Sequence, residues 1–348
     1  MMGEDCSKDF LPLSALITME CVNVGLNTLF KEATLYGMSY YVFVVYAYAL
    51  AALVLVPAPF FSFRSGLLRP PSSSILWKIF LLGLTGSSSQ IMGYTGITYS
   101  SPTLASAMSN LTPAFTFLLA VLFRMETVVW RRKSSKAKVI GTIVSISGAF
   151  VVTLYKGPAI IIASSTSTPN QSLHNPSQKQ WIAGGFFLMA EYMLVPLWYI
   201  IQTQIMKEYP AEMTVVCMYN LCVSIIAAVA ALIAQGFSSV WIIKSTTALA
   251  SVLCSGLLGS ALNNTVHTWA LKKKGPLFVA TFKPLSIVIA VVMGVLFLGD
   301  NLYLGSLVGA ITISIGFYTV IWGKFKEESN FESDDQISPL LEQSKGLC

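Results

Sequence analysis

One apolar segment occurs twice in this chain, 174 residues apart. The first copy runs from Pro102 to Glu126 (PTLASAMSNLTPAFTFLLAVLFRME), the second from Pro276 to Asp300 (PLFVATFKPLSIVIAVVMGVLFLGD). They align without a gap: Pro102 on Pro276, Leu111 on Leu285, Val121-Leu122-Phe123 on Val295-Leu296-Phe297, Glu126 on Asp300. Two glycines seven residues apart follow each copy, Gly141 and Gly148, then Gly309 and Gly316. A duplicated, mostly apolar half points to a transporter more than to any other kind of membrane protein.

Only 11% of the residues are charged and 54% are hydrophobic, against about 25% charge in an ordinary soluble domain. The apolar runs reach the roughly 20 residues that a bilayer crossing requires. The chain therefore reads as a polytopic membrane protein. Its net charge of +6 sits in short connections between apolar runs and implies no nucleic-acid partner. The acid-rich start MMGEDCSKDF lacks the basic region of a cleaved signal, so the first apolar segment is expected to remain as a helix. The cysteines fall in apolar runs or tails, and no disulfide, metal site or cofactor is expected.

Ten spans are read, at 11–30, 40–62, 76–97, 102–123, 138–155, 181–203, 212–235, 247–270, 277–298 and 303–322. With the N-terminus in the cytoplasm, the cytoplasmic connections hold Arg64, Arg69 and Lys78; the 124–138 cluster; Lys207; and Lys272, Lys273 and Lys274. The external ones hold only Lys31, Lys156, Lys179 and Lys244. Basic residues favour the cytoplasmic side, which places both termini inside. The polar segment 156–180 carries an external glycosylation sequon at Asn170 and divides the chain into two five-helix halves, 11–155 and 181–322. Five is odd, so the halves are inverted relative to each other. Residues 1–10 form a cytoplasmic N-terminus, and the charged tail 323–348 is expected to be disordered.

Five stretches carry a family resemblance: GMSYYVFVVY (37–46), GYTGITYSSPTLASAMSNLTPAFTFLLAVLFRME (93–126), GTIVSISGAFVVTLYKGP (141–158), TWALKKKGPLFVATFKPLSIVIAVV (268–292) and Gly305 to Gly316. On these the chain resembles the EamA-type drug/metabolite transporters. It is most similar to the plant nodulin-21-like, Walls-Are-Thin-related (UMAMIT) group. The resemblance implies an all-α integral membrane fold of ten transmembrane helices in two inverted EamA-like repeats. It also implies movement of amino acids and, in some members, of auxin or related small metabolites. The plasma membrane is the first location it suggests and the tonoplast the second. One departure is Ala47, which stands after Val45-Tyr46 where many relatives have a basic residue.

Charge at the bilayer centre costs about 2.5–3.5 kcal/mol on insertion scales, so the residues that carry it need a reason to be there. Glu20 in the first span, Glu191 in the sixth and Lys283 in the ninth are the clear cases. A carboxylate there can hold an amino group or exchange a proton, and a lysine can hold a carboxylate. The bland alternative is a structural anchor between helices. Ser89 and Gln90 align with Asn263 and Asn264 under the repeat offset, and Asn110 aligns with Pro284 beside Lys283. Amides both donate and accept, which suits a zwitterion, though helix–helix bonding uses them equally. Pro113 and Pro284 fall within spans, where a proline frees a carbonyl. Tyr46, Tyr94 and Tyr219 are candidates for a pocket wall. Together these residues define the expected substrate cavity.

No zinc motif, paired catalytic aspartates or large soluble domain supports an enzyme, and no phosphate-binding loop supports direct ATP drive. The reading is a secondary transporter or facilitator of small organic solutes, amino acids first. Its rivals are transport of auxin or another metabolite, and a non-transporting receptor or scaffold that retains the fold. The Gly305–Gly309 spacing permits close helix packing, within the chain or in a homodimer.

Overall fold

Hydrocarbon offers no partner for a backbone N–H or C=O, so a chain of long apolar runs satisfies those groups within helices. The computed structural model is accordingly built of helices, and it describes residues 2–35, 37–64, 70–99, 105, 108–109, 112–125, 132–154, 158–161, 178–236, 241–243, 245–283, 285–286, 288–289 and 302–345. The helices are α1 (Met2–Leu35), α2 (Tyr40–Leu55), α3 (Pro57–Arg64), α4 (Ser73–Tyr99), α5 (Thr112–Leu122) and α6 (Lys133–Leu154). There follow α7 (Gln178–Glu208), α8 (Glu212–Gln235), α9 (Thr246–Cys254), a π-helical segment (Ser255–Asn263), α10 (Asn264–Ala280) and α11 (Leu304–Lys345). Two short strands, β1 (Ala159–Ile161) and β2 (Leu302–Tyr303), pair antiparallel.

Among the described residues, six helical stretches are long and apolar enough to cross a membrane: Leu11–Phe30, Tyr40–Phe61, Ile182–Glu208, Glu212–Gln235, Thr246–Ala280 and Leu307–Glu327. Helices α4 and α6, with 27 and 22 residues, have the length. Their serines, threonines and glycines lower their apolar character. Those small residues are what allow neighbours to approach closely.

The main helix pairs join the first part of the chain to the second, and each is antiparallel. In α2 and α8, Ser224 Oγ donates to the Val45 carbonyl at 3.2 Å and Cys217 lies on Ala52. In α4 and α7, Gly93 faces Glu191, Gly96 faces Leu188, and Lys78 pairs with Glu208 at the end of the contact. In α6 and α11, Gly141 faces Gly316 and Gly148 faces Gly309, so closely that a methyl group at Gly141, Gly148 or Gly316 would meet the opposite backbone. The glycines that recur in the two halves are thus the two sides of one interface. Helix α1 runs against the π segment, with Leu26 beside Gly259 and Asn23 Nδ2 donating to Asn263 Oδ1 at 3.3 Å.

Three features differ from expectation. The span read as regular helix at 247–270 contains the nine-residue π segment. A π turn leaves carbonyls without their usual intrahelical donor, and the buried amide of Asn220 on α8 donates to one of them, Ser260 O, at 3.3 Å. The break between the eighth and ninth spans is a single residue, Gly275, whose φ of 82° only glycine adopts readily. Residues from 323 continue as helix to Lys345 where disorder was expected. The Glu, Lys, Gln and Leu of that segment are good helix formers, which a reading of charge alone overlooked.

Candidate functional site

A cavity of about 190 Å³ lies where α1, α2, α4, α7, α8, the π segment and α10 converge. Nine sequence candidates line it: Glu20, Ser89, Gln90, Tyr94, Glu191, Tyr219, Asn263, Asn264 and Lys283. Tyr46 and Pro113 do not. Tyr46 points to the helix ends, where its hydroxyl donates to the Trp241 carbonyl at 2.9 Å and its ring meets that indole edge-on. Tyr48, two residues on, is the ring that meets Tyr219 edge-on. Pro113 is the second residue of α5, where its missing N–H costs no helical hydrogen bond, and it is buried away from the cavity. Asn110, Pro284 and Asn170 lie outside the described residues.

The charged groups are not equivalent. Lys283 Nζ donates to Glu20 Oε1 at 2.8 Å, closing an ion pair across 263 residues of chain. His267 Nε2 is 4.0 Å from the same oxygen. Its Nδ1 is 3.0 Å from the Asn263 carbonyl, which only accepts, so Nδ1 carries the proton. The carboxylate that Lys283 holds in this structure is that of Glu20. Glu191, by contrast, has a buried Oε2 without a hydrogen-bond partner among the described residues. Its carboxyl lies against Gly93, where no side chain fits.

The amides form a relay. Asn23 donates to Asn263, and Asn264 Nδ2 donates to Asn220 Oδ1 at 3.1 Å. Gln202 Nε2 donates to Thr268 Oγ1 at 2.7 Å, which itself donates to Asn264 O. Much of the polarity is therefore committed to holding helices in register, the bland alternative for the Asn pair. The aromatic wall is larger than the three tyrosines anticipated, because Tyr48, Tyr192, Trp198 and Tyr199 also line the cavity. Gly86 makes room for the Tyr219 hydroxyl as Gly93 does for Glu191. Gly86 and Gly93 stand seven residues apart on α4, a helical repeat that marks one face, and that spacing was the signal available in the sequence.

An ion pair, an unpaired acid, amides and aromatic rings are thus gathered around one cavity between the helices. The chain belongs to the EamA-like transporter family, whose model matches residues 13–154 and again 174–322. It is a membrane transporter of the plant WAT1-related group. The WAT1-related protein At3g28050 of Arabidopsis thaliana is 62% identical over 95% of this chain and 90% of its own length. The WAT1-related protein At5g40240 of the same plant is 49% identical over 96% and 93%. A crystal structure of another protein, 13% identical, superposes with a TM-score of 0.65 over 92% of this chain and 99% of its own. At that identity the likeness is one of fold alone.

Proposed function

We propose that the protein moves small organic solutes, amino acids first, by alternating access of two inverted five-helix halves with both termini in the cytoplasm. The observation that carries this is the cavity itself: its ion pair joins Glu20 of the first half to Lys283 of the second, so the halves meet at the solute. Rocking of one half against the other then exposes the same groups to either side.

The packing supports the inverted arrangement. The α4–α7 contact is matched under exchange of halves by that of α1 with the π segment, while the α2–α8 and α6–α11 contacts map onto themselves. The contacts at helix ends agree with one threading. Lys78–Glu208, Lys272–Glu212 and Lys138–Glu327 join ends assigned to the cytoplasm. Ser39–Gln235 and the β1–β2 pair join ends assigned to the outside.

The test is flux of a labelled amino-acid panel and auxin through proteoliposomes, comparing wild type with Glu20→Gln and Lys283→Ala. Saturable flux of one class by wild type, lost in both variants at equal insertion, is expected. No flux of any panel member by well-inserted wild type would overturn the carrier reading with these solutes.

A further inference from the structure

We infer that Glu191 is the docking group for a substrate ammonium, and that the cavity selects solutes by that ammonium rather than by a carboxylate. The inference rests on the carrier reading and names the class of solute for the same site.

The charges that line the cavity among the described residues are Glu20, Glu191 and Lys283, with His267 beside Glu20. Lys283 lies within electrostatic reach of both acids but gives its hydrogen bond to Glu20. Two carboxyl groups share one lysine, and the acid without a bonded partner among the described residues is Glu191. A buried carboxylate of this kind is costly until a cation joins it. Among the described residues of α2, α4 and α7 no cation stands beside it; the groups within electrostatic reach there are the rings of Tyr48, Tyr94 and Tyr192. Aromatic faces attract an ammonium without hydrogen-bonding the acid. Tyr48 also lies beside the polar groups of Tyr219, Asn264 and Ser260. The result is an acidic, aromatic-walled pocket. Gly93 backs it and leaves the space in which the carboxyl sits.

A solute whose only charge is a carboxylate meets the opposite conditions. It has to break the 2.8 Å bond between Lys283 and Glu20 to reach a cation, and it then faces two like charges. An amino acid satisfies Glu191 with its ammonium and meets the cavity's amides with its carboxylate. A primary amine lacking the carboxylate satisfies the same acid.

Ligand-dependent thermal shifts of the purified full-length protein test this with two matched sets: leucine, isopentylamine and 4-methylpentanoate, and phenylalanine, phenethylamine and 3-phenylpropanoate. Within the set that fits, the amine and the amino acid are expected to bind, with the carboxylate-only member about tenfold weaker or more. Glu191→Gln should weaken both ammonium-bearing probes by about tenfold or more, and Glu191→Asp should retain them. Glu20→Gln, which releases Lys283, should raise the affinity of the carboxylate-only probe. The wild-type ranking decides the matter even where a variant fails to fold. A carboxylate-only probe that binds as tightly as its amine, undiminished amine binding by a folded Glu191→Gln protein, or no binding of either set overturns the assignment. The expected ranking without flux in proteoliposomes would remove the carrier reading and leave the docking group. Flux indifferent to the ammonium would do the reverse.

Discussion

Glu20 and Glu191 look alike in sequence, each an acid in the middle of an apolar run in equivalent helices. Their roles separate only through their neighbours: Glu20 meets Lys283 from a helix 263 residues away, and Glu191 meets a glycine. Breaking a buried pair by removing one partner costs about 3–5 kcal/mol. Glu20→Gln is therefore expected to lower thermal stability in detergent more than Glu191→Gln, which removes an unpaired charge. Gly93 sharpens the contrast. All three nearest atoms to a methyl group placed there belong to the Glu191 carboxyl. Gly93→Ala should cost about 1–3 kcal/mol by overpacking. In the Gly93→Ala/Glu191→Ala double variant most of that cost should vanish, so thermal unfolding of the four proteins should be clearly non-additive. Additive losses would mean that Gly93 serves something other than the carboxyl.

At the scale of elements, the π segment and the α6–α11 pair do opposite work. The first opens the backbone, and Asn220 fills part of the gap by donating to Ser260 O while its own oxygen accepts from Asn264. Replacing Asn220 with Ala strips partners from both, so a stability loss of roughly 1–3 kcal/mol is expected in detergent unfolding. The second closes the backbone, with glycine against glycine along the crossing and Ser145 Oγ 3.5 Å from the Ile313 carbonyl. Leucine at Gly148 or Gly316 should force the helices apart and abolish the folded, monodisperse species in size-exclusion chromatography. The same residue on the lipid-exposed side, at Ile143, should change little. The repeated glycines were visible in the sequence. That they face one another was not, because a repeat records similarity between halves and says nothing of which copies touch.

At the scale of the molecule, the proposed threading assigns every connection to a side. Pro158, exposed beside β1, belongs outside, and Lys273, exposed on α10 just before the Gly275 break, belongs inside. A membrane-impermeant thiol reagent should label Pro158→Cys in intact cells, and Lys273→Cys only after permeabilisation. The reverse pattern would invert the protein, and labelling of both from one side would refute the parity of the helices. The basic residues that suggest this orientation act through loop charge alone, and for that reason the sequence carries the prediction without the fold.

What the sequence determined by itself are the properties that each residue carries locally. Hydrophobic length sets where helices cross. The apolar duplication marks two related halves. The rarity of intramembrane charge singled out Glu20, Glu191 and Lys283, and all three reach one cavity. What only the tertiary structure decided are the relations between residues distant along the chain: that Lys283 belongs to Glu20, that Gly93 shapes the space of Glu191, and that Tyr48 rather than Tyr46 meets Tyr219. Helices buried on every side show no periodicity to tell which face looks inward. Pairing of charges depends on distance in space, and distance between helices exists only once they have packed.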